Sequence, residues 1–243
     1  MAETAHEIVP HAEWIKARKE LLVKEKEYTR LGDELARRRR ELPWERVTKD
    51  YLFDGPAGKE TLSQLFAGHS QLAVYHFMFN PEWEEGCPHC SFWADNFDGI
   101  DIHLAHRDVA FVAISHAPLS KLEAFKQRMG WSFKWVSAGE NGFNYDYYVS
   151  FRPEEMAKGE IFHNYETTKQ VMSEHAGANA IAIGAGPRNR VSEAVAQRCG
   201  GDKAEVVARL AWRAEPPSRP VPIARRGEGD RRRVVSQLVD QIG

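Results

Sequence analysis

Cysteine is scarce in this sequence. Three residues in 243, at positions 87, 90 and 199, are too few for a disulfide-stapled scaffold. No apolar run approaches the roughly eighteen residues that a membrane-spanning helix needs, so no membrane partner is expected. The opening residues, Met1-Ala2-Glu3-Thr4-Ala5-His6-Glu7, are polar and acidic and lack the features of a signal peptide. Few cysteines and no secretory leader point to a reducing, cytoplasmic compartment, where a disulfide would be transient and functional. An excess of one charge is also missing. The formal net charge is −2, which argues against steering of the whole chain toward nucleic acid. There is no nucleophile elbow and no persuasive catalytic triad, and the glycines of 177–186 lack the spacing of a phosphate-cradling loop. What remains is enough apolar and aromatic residues for a globular core, in one large domain or one domain with extensions.

The scarce cysteines are not scattered. Cys87 and Cys90 are separated by Pro88-His89, and the motif comes after a dense apolar run, Leu72-Ala73-Val74-Tyr75-His76-Phe77-Met78-Phe79. That run reads as a buried strand. From Ser91 to about Leu104, Phe92, Trp93, Phe97, Ile100 and Leu104 recur at helical spacing, so the pair sits at a strand-to-helix junction. Unpaired backbone N–H groups and the positive end of the helix dipole there favour a thiolate, and a lowered thiol pKa makes a cysteine reactive near neutral pH. A redox pair is the leading reading. Half of a zinc site and two inert thiols are the others. Zinc needs about four ligands, the remaining cysteine is over a hundred residues away, and the His89 side chain would point away from a shared metal. Covalent haem attachment fails because Ser91 stands where that motif requires histidine.

Upstream, His11 to about Glu41 reads as one long helix. Trp14, Leu21, Tyr28 and Leu35 recur every seven residues, a stripe that must pack on the adjoining domain or on a second copy of the chain. Glu20 and Lys24 form a favourable i,i+4 pair. Arg37-Arg38-Arg39-Arg40 lies where positive charge complements the dipole; a solvated helix end is the plain reading and a phosphate or nucleic-acid contact the functional one. Pro43 stops the helix. Val47–Phe53 reads as a strand, Asp54–Gly58 as a turn and Glu60–Phe66 as a short helix. Beyond the cysteines come a strand over Asp108–Ile114, a helix over Pro118–Met129 stopped by Gly130, a strand over Phe133–Val136 and an alternating, half-exposed strand over Asn144–Phe151. Strand, cysteine-bearing helix, strand, helix, strand implies an α/β chain with a largely parallel sheet and right-handed crossovers. Ligands bind such sheets at the carboxyl ends of the strands, where the cysteines lie.

Leu52-Phe53-Asp54-Gly55-Pro56, then Trp83-Glu84-Glu85-Gly86-Cys87-Pro88-His89-Cys90-Ser91-Phe92-Trp93-Ala94-Asp95, then Phe143-Asn144-Tyr145-Asp146-Tyr147 resemble a bacterial thioredoxin-like family of unknown function, a predicted dithiol-disulfide oxidoreductase. The resemblance covers roughly residues 12–166. It implies a thioredoxin-like central sheet flanked by helices, with Cys87 as the attacking thiol and Cys90 as the resolving one. Pro88-His89 resembles the dipeptide of strongly oxidising periplasmic thiol oxidants, in which a histidine beside the thiolate stabilises the reduced form. Two departures stand out. No proline suits the cis position that faces a thioredoxin disulfide, since Pro118 begins a helix and Pro153 comes after a strand. Beyond about Tyr165 the sequence is unlike the hairpin and helix that complete the family's sheet.

The C-terminal third changes character. Gly177–Gly186 is small and reads as flexible; Ser192–Arg198 and Lys203–Trp212 could form short helices; Pro216-Pro217, Pro220 and Pro222 interrupt the remainder. Residues 172–243 hold twelve Lys or Arg against eight Asp or Glu, a basic balance that suggests nucleic acid. Trp212 is their only aromatic residue, which leaves base stacking unsupported. The expected organisation is therefore a helical extension over 1–44, a thioredoxin-like domain over 45–171 and a divergent tail over 172–243. His103, His106 and His116 read as surface or capping residues rather than metal ligands. Glu84 and Glu85 either assist proton transfer at Cys90 or oppose the thiolate; Trp83 and Trp93 are candidates to wall the site, with Trp93 the better fit to the core. The expected activity is thiol-disulfide exchange with protein or small-molecule thiols. Cys87, Cys90, His89 and Pro88 form the catalytic motif, Trp83, Glu84 and Glu85 meet substrate, and no bound cofactor is implied. A peroxidase variant would form a sulfenic acid on one cysteine. The alternative is a non-catalytic thioredoxin-like binding or dimerisation module with structural cysteines, which pairs two chains through the long helix.

Overall fold

The computed structural model describes residues 7–43, 45–139 and 141–183 and the backbone of 194–199. The chain divides into two units, Met1–Arg46 and Val47–Gly243. The first is one helix, α1 (His11–Glu41), ending before Pro43 with Leu42 in the extended conformation that a succeeding proline imposes. Trp14, Leu21, Tyr28 and Leu35 are all exposed. Lys24 pairs with Glu27 rather than Glu20. Arg37 and Arg38 both engage Glu34 at 2.8 Å, so that part of the arginine run is bound within the helix end. A short strand, β1 (Glu45–Val47), comes next.

In the second unit, β2 (Leu52–Gly55) and β3 (Gly58–Thr61) form a tight hairpin. Thr61 then starts α2 (Leu62–Leu65) through a reciprocal capping box with Gln64. The central strand β4 (Gln71–His76) leads through a loop to α3 (Pro88–Phe97) and α4 (Ile100–Ala105), then β5 (Val109–Ser115), α5 (Leu119–Met129) and β6 (Trp135–Ser137). Beyond them lie α6 (Phe143–Asp146), α7 (Pro153–Met156), the β7–β8 hairpin (Ile161–His163, Glu166–Thr168), β9 (Gly177–Ile183) and β10 (Ala194–Cys199). β4, β5 and β6 are mutually parallel. β9 runs antiparallel to β4 and β10 antiparallel to β9, giving the order β10-β9-β4-β5-β6-β2-β3. A βαβ unit whose first strand carries the motif, closed by an antiparallel hairpin on that strand's other side, is the thioredoxin-like arrangement.

β4 and β5 are buried almost throughout, as parallel strands covered on both faces must be. Period-two alternation then sorts their side chains. Ala73, Tyr75, Phe77, Val109, Phe111 and Ala113 face one core with Cys90, Ala94, Leu122 and Trp135. Leu72, Val74, Ala110, Val112 and Ile114 face the other with Phe53, Leu65, Phe143 and Tyr147.

Four expectations are corrected. The helix after the cysteines breaks at Asp98-Gly99, where Asp98 accepts hydrogen bonds from the Ser132 backbone N–H and hydroxyl and Gly99 takes φ 82°. Asn144–Phe151 is not a strand: Gly142, at φ 83°, opens the helical turn α6, and only Ser150 makes a β-bridge, to Glu174. Gly177–Ile183 is a full strand rather than a flexible segment. Ala194–Cys199 is a strand rather than a helix, so the closing hairpin is present. Lys203–Trp212 and the proline- and arginine-rich remainder lie outside the described residues. No cis peptide occurs among the described residues, and the residue before β9 is Ala176.

Candidate functional site

The loop between β4 and α3 is fixed from several sides. Its first turn closes on Asn80, whose carbonyl accepts the Trp83 N–H (3.1 Å) and whose Oδ1 accepts the Glu82 N–H (2.9 Å). Lys121 Nζ on α5 donates to the Pro81 and Trp83 carbonyls at 2.7 and 2.6 Å. Gly86 lies directly on the Phe77 ring, where an added Cβ would sit 2.7 Å from Phe77 Cε1, so no larger residue fits without a shift. The Cys87 N–H then donates to the Met78 carbonyl at 3.1 Å.

Cys87 is the N-cap of α3, and Pro88 occupies the first helical position, where its missing N–H costs no hydrogen bond. The Cys87 carbonyl receives both the Ser91 N–H (2.9 Å) and the Ser91 hydroxyl (3.0 Å). Its thiol is left half-buried at the helix start, while Cys90, one turn along, is buried at 1% exposure. Both are free thiols.

The two sulfurs are driven apart electrostatically. Cys87 is drawn down from the ordinary thiol value of 9.0 to about 5. The first cause is the Cys90 thiol, which directs its proton at Cys87. Partial burial opposes the shift, and the backbone N–H groups of Cys90 and His89, together with the His89 ring, add to it. These groups turn toward the sulfur without closing a capping hydrogen bond. Cys90 moves the other way, raised because it gives its proton to Cys87 and because it is buried. One thiol is thus held as a thiolate near neutral pH and the other as its proton donor.

The residues singled out in the sequence fall into distinct places. His89 and Pro88 lie beside Cys87, both exposed, and Trp93 Nε1–H approaches His89 Nε2 at 3.4 Å. Trp83 and Trp93 pack on the cysteine-side core and are half-buried. Glu84 and Glu85 are exposed. Glu85 is held 2.6 Å from Arg128, which keeps its carboxyl below the usual range. Neither glutamate is among the causes of the Cys87 shift. No group of three or more His, Cys, Asp or Glu able to hold a metal occurs among the described residues. Cys199 pairs in β10 with Ala178 of β9.

Tyr75 went unread in the sequence: it is a strand residue whose buried hydroxyl interacts with the Cys90 thiol. Two polar clusters went unread as well. On the opposite face of β4, His76 meets Asn144 Oδ1 (3.2 Å) and Asn179 Nδ2 (2.6 Å). Past the end of β5, buried Glu174 binds His116 (3.1 Å), the Ser150 hydroxyl (2.7 Å) and Asn80 Nδ2 (3.3 Å), and His116 approaches the Tyr145 hydroxyl (3.3 Å). The partners of Glu174 are 24 to 94 residues from it in sequence, so spacing carries no signal for them. The one residue already noted, His116, is buried rather than on the surface.

The profile of a family described as bacterial protein of unknown function (DUF899) matches residues 3–187. No curated protein matches the chain. Among solved structures, the chain is similar to a Xanthomonas campestris bacterioferritin comigratory protein studied for alkyl peroxide reduction (15% identity, 70% of this chain and 100% of that one, TM-score 0.47). It is also similar to the peroxidoxin BcpB of Mycobacterium tuberculosis (14% identity, 69% and 93%, TM-score 0.43). A third is a secreted Mycobacterium tuberculosis disulfide oxidoreductase homologous to Escherichia coli DsbE (12% identity, 67% and 95%, TM-score 0.36).

Proposed function

The chain belongs to the bacterial DUF899 family of unknown function, and we propose that it is a thiol-disulfide oxidoreductase working through Cys87 and Cys90. One observation carries this reading: the half-buried N-cap thiol is drawn down to about 5 by a buried partner one turn away. In the reducing direction the Cys87 thiolate attacks a substrate disulfide R–S–S–R′. A Cys87–S–S–R bond forms and R′–S⁻ leaves. Cys90 then gives up its proton and attacks the Cys87 sulfur, closing the Cys87–Cys90 disulfide and releasing R–SH. The oxidising direction is the reverse. A partner thiol or a small thiol supplies or receives the two electrons. His89 favours the thiolate, so it stabilises the reduced form and makes the disulfide the stronger oxidant.

Substrate would approach the Pro88-His89 edge, with Trp83, Glu84 and Glu85 on the preceding loop beside it. The exposed stripe Trp14, Leu21, Tyr28 and Leu35 of α1 supports pairing of two chains, which sedimentation velocity would detect as a dimer that charged substitutions in the stripe dissociate.

The function is tested by equilibrating the protein with mixtures of reduced and oxidised glutathione and weighing the acid-quenched products. A reversible loss of two hydrogens, absent in Cys87→Ser and in Cys90→Ala, supports the exchange reaction. A chain that stays a dithiol under mild oxidant contradicts it. The same assay with peroxide as oxidant separates the peroxidase variant, in which a Cys87 sulfenic acid condenses with Cys90 and releases water.

A further inference from the structure

Tyr75 is a polar residue in an apolar place. It projects from the carboxyl-terminal end of β4, one residue before His76, into the cysteine-side core at 1% exposure. Its cross-strand neighbours are small, Ala113 on β5 and Ala178 on β9, which leaves room for the ring. The ring edges meet Phe97 at 5.1 Å and Phe77 at 6.2 Å. Phenylalanine would make the same contacts. The hydroxyl, by contrast, has no closed hydrogen bond among the described residues. A buried hydroxyl without a partner costs stability. The hydroxyl and the Cys90 thiol interact, and Cys90 belongs to the same buried cluster.

We propose that Tyr75 is a catalytic residue whose hydroxyl donates a hydrogen bond to Cys90 whenever that sulfur carries negative charge. A thiol is a poor acceptor and a thiolate a strong one, so the bond closes only when Cys90 ionises. This deepens, and rests on, the exchange reaction proposed above. Cys90 is the harder of the two sulfurs to ionise, since its proton donation to Cys87 and its burial both hold its proton on, while the Tyr75 hydroxyl acts in the opposite sense. Burial holds the Tyr75 proton firmly as well, which makes it a donor and not a base. In the resolving step the Cys90 S–H bond breaks and its electron pair forms the bond to the Cys87 sulfur. The Cys87–S–R bond breaks, and the proton leaves with the departing thiolate as R–SH. Tyr75 keeps its own proton throughout. When the disulfide is reduced by attack at Cys87, the same hydroxyl receives Cys90 as the leaving thiolate.

The test uses the full-length reduced protein and an aryl disulfide that releases coloured nitrothiobenzoate at each step. Cys87 attack releases the first equivalent and Cys90 resolution the second. Tyr75→Phe is expected to leave the first release unchanged and to slow the second about tenfold, the value of one charge-assisted hydrogen bond, with its pH profile displaced to higher pH. Fluorotyrosine at position 75 keeps the ring and packing while strengthening the donor. It should speed the second release, and it keeps the test decisive if Tyr75→Phe folds poorly. A normal first release and a second release that neither substitution alters overturn the role of Tyr75 alone. A wild-type chain with no fast first release overturns the exchange reaction, and the role of Tyr75 with it.

Discussion

Two buried polar regions meet near the central strand, and they are built on opposite terms. Around Glu174 both carboxyl oxygens are engaged, by His116, Ser150 and Asn80. Around Cys90 the hydrogen bonding is incomplete: its thiol points at a sulfur, and the Tyr75 hydroxyl closes no bond among the described residues. A satisfied cluster holds one geometry, because breaking any member strands the others. An unsatisfied one is ready to change charge, because the change completes its bonding. The first region ties the loop after β4, the end of β5 and the approach to β9 together. The second is where the proposed exchange would take place, on the frame so fixed.

The largest expected contrast is in reactivity. Cys87→Ser should abolish reaction with disulfides, whereas Cys90→Ala should trap the mixed disulfide on Cys87 nearly stoichiometrically, as intact-mass measurement after incubation with a disulfide would show. Glu174→Ala acts on the other region. Leaving buried His116 and Ser150 and half-buried Asn80 without their acceptor should cost about 3 kcal/mol in urea unfolding without moving the Cys87 pKa; a shift there would mean the two regions are one network. A smaller effect concerns pH. Because the folded pKa of Cys87 is depressed, the stabilisation of the reduced form is complete above the ordinary thiol value and is lost as pH falls through about 5. The reduction potential should accordingly fall by about 30 mV per pH unit between roughly pH 5 and 9, where one proton accompanies two electrons, and by about 60 mV per unit below. Protein-film voltammetry would check both slopes. The smallest change is His89→Gln, expected to raise the Cys87 pKa by about half a unit, since the helix N–H groups and Cys90 remain.

Much of the frame is legible in the sequence because its signals are local. The apolar runs over 72–79 and 108–114 hold the buried parallel strands, Gly130 caps α5 at φ 74°, and the two cysteines open a helix. Long-range contacts decide the parts that depart from the local pattern. β9 begins with small residues where it lies against large side chains of β4: Gly177 opposes His76 and Ala178 opposes Tyr75. Small size there reflects fit to a bulky neighbour rather than flexibility. The tyrosine-rich segment alternates like a strand, yet Gly142 and the Asn141 side chain, which accepts the Phe143 N–H at 2.9 Å, wind it into a turn. The thiol pair was readable from four consecutive residues. Tyr75 was readable only as one more aromatic in a strand, since nothing in its sequence neighbours points from its hydroxyl to Cys90.

Exchange through this pair requires Cys87 to be a thiolate at neutral pH because its neighbours direct protons at it. The most direct measurement is thiolate absorbance against pH on the reduced protein, with Cys90→Ala alongside. One thiolate should appear with a midpoint near 5 in the intact chain. In Cys90→Ala the midpoint should be higher but still below the ordinary thiol value, because the helix N–H groups persist. A chain showing no thiolate until the pH nears 9.0, the ordinary thiol value, would contradict this chemistry.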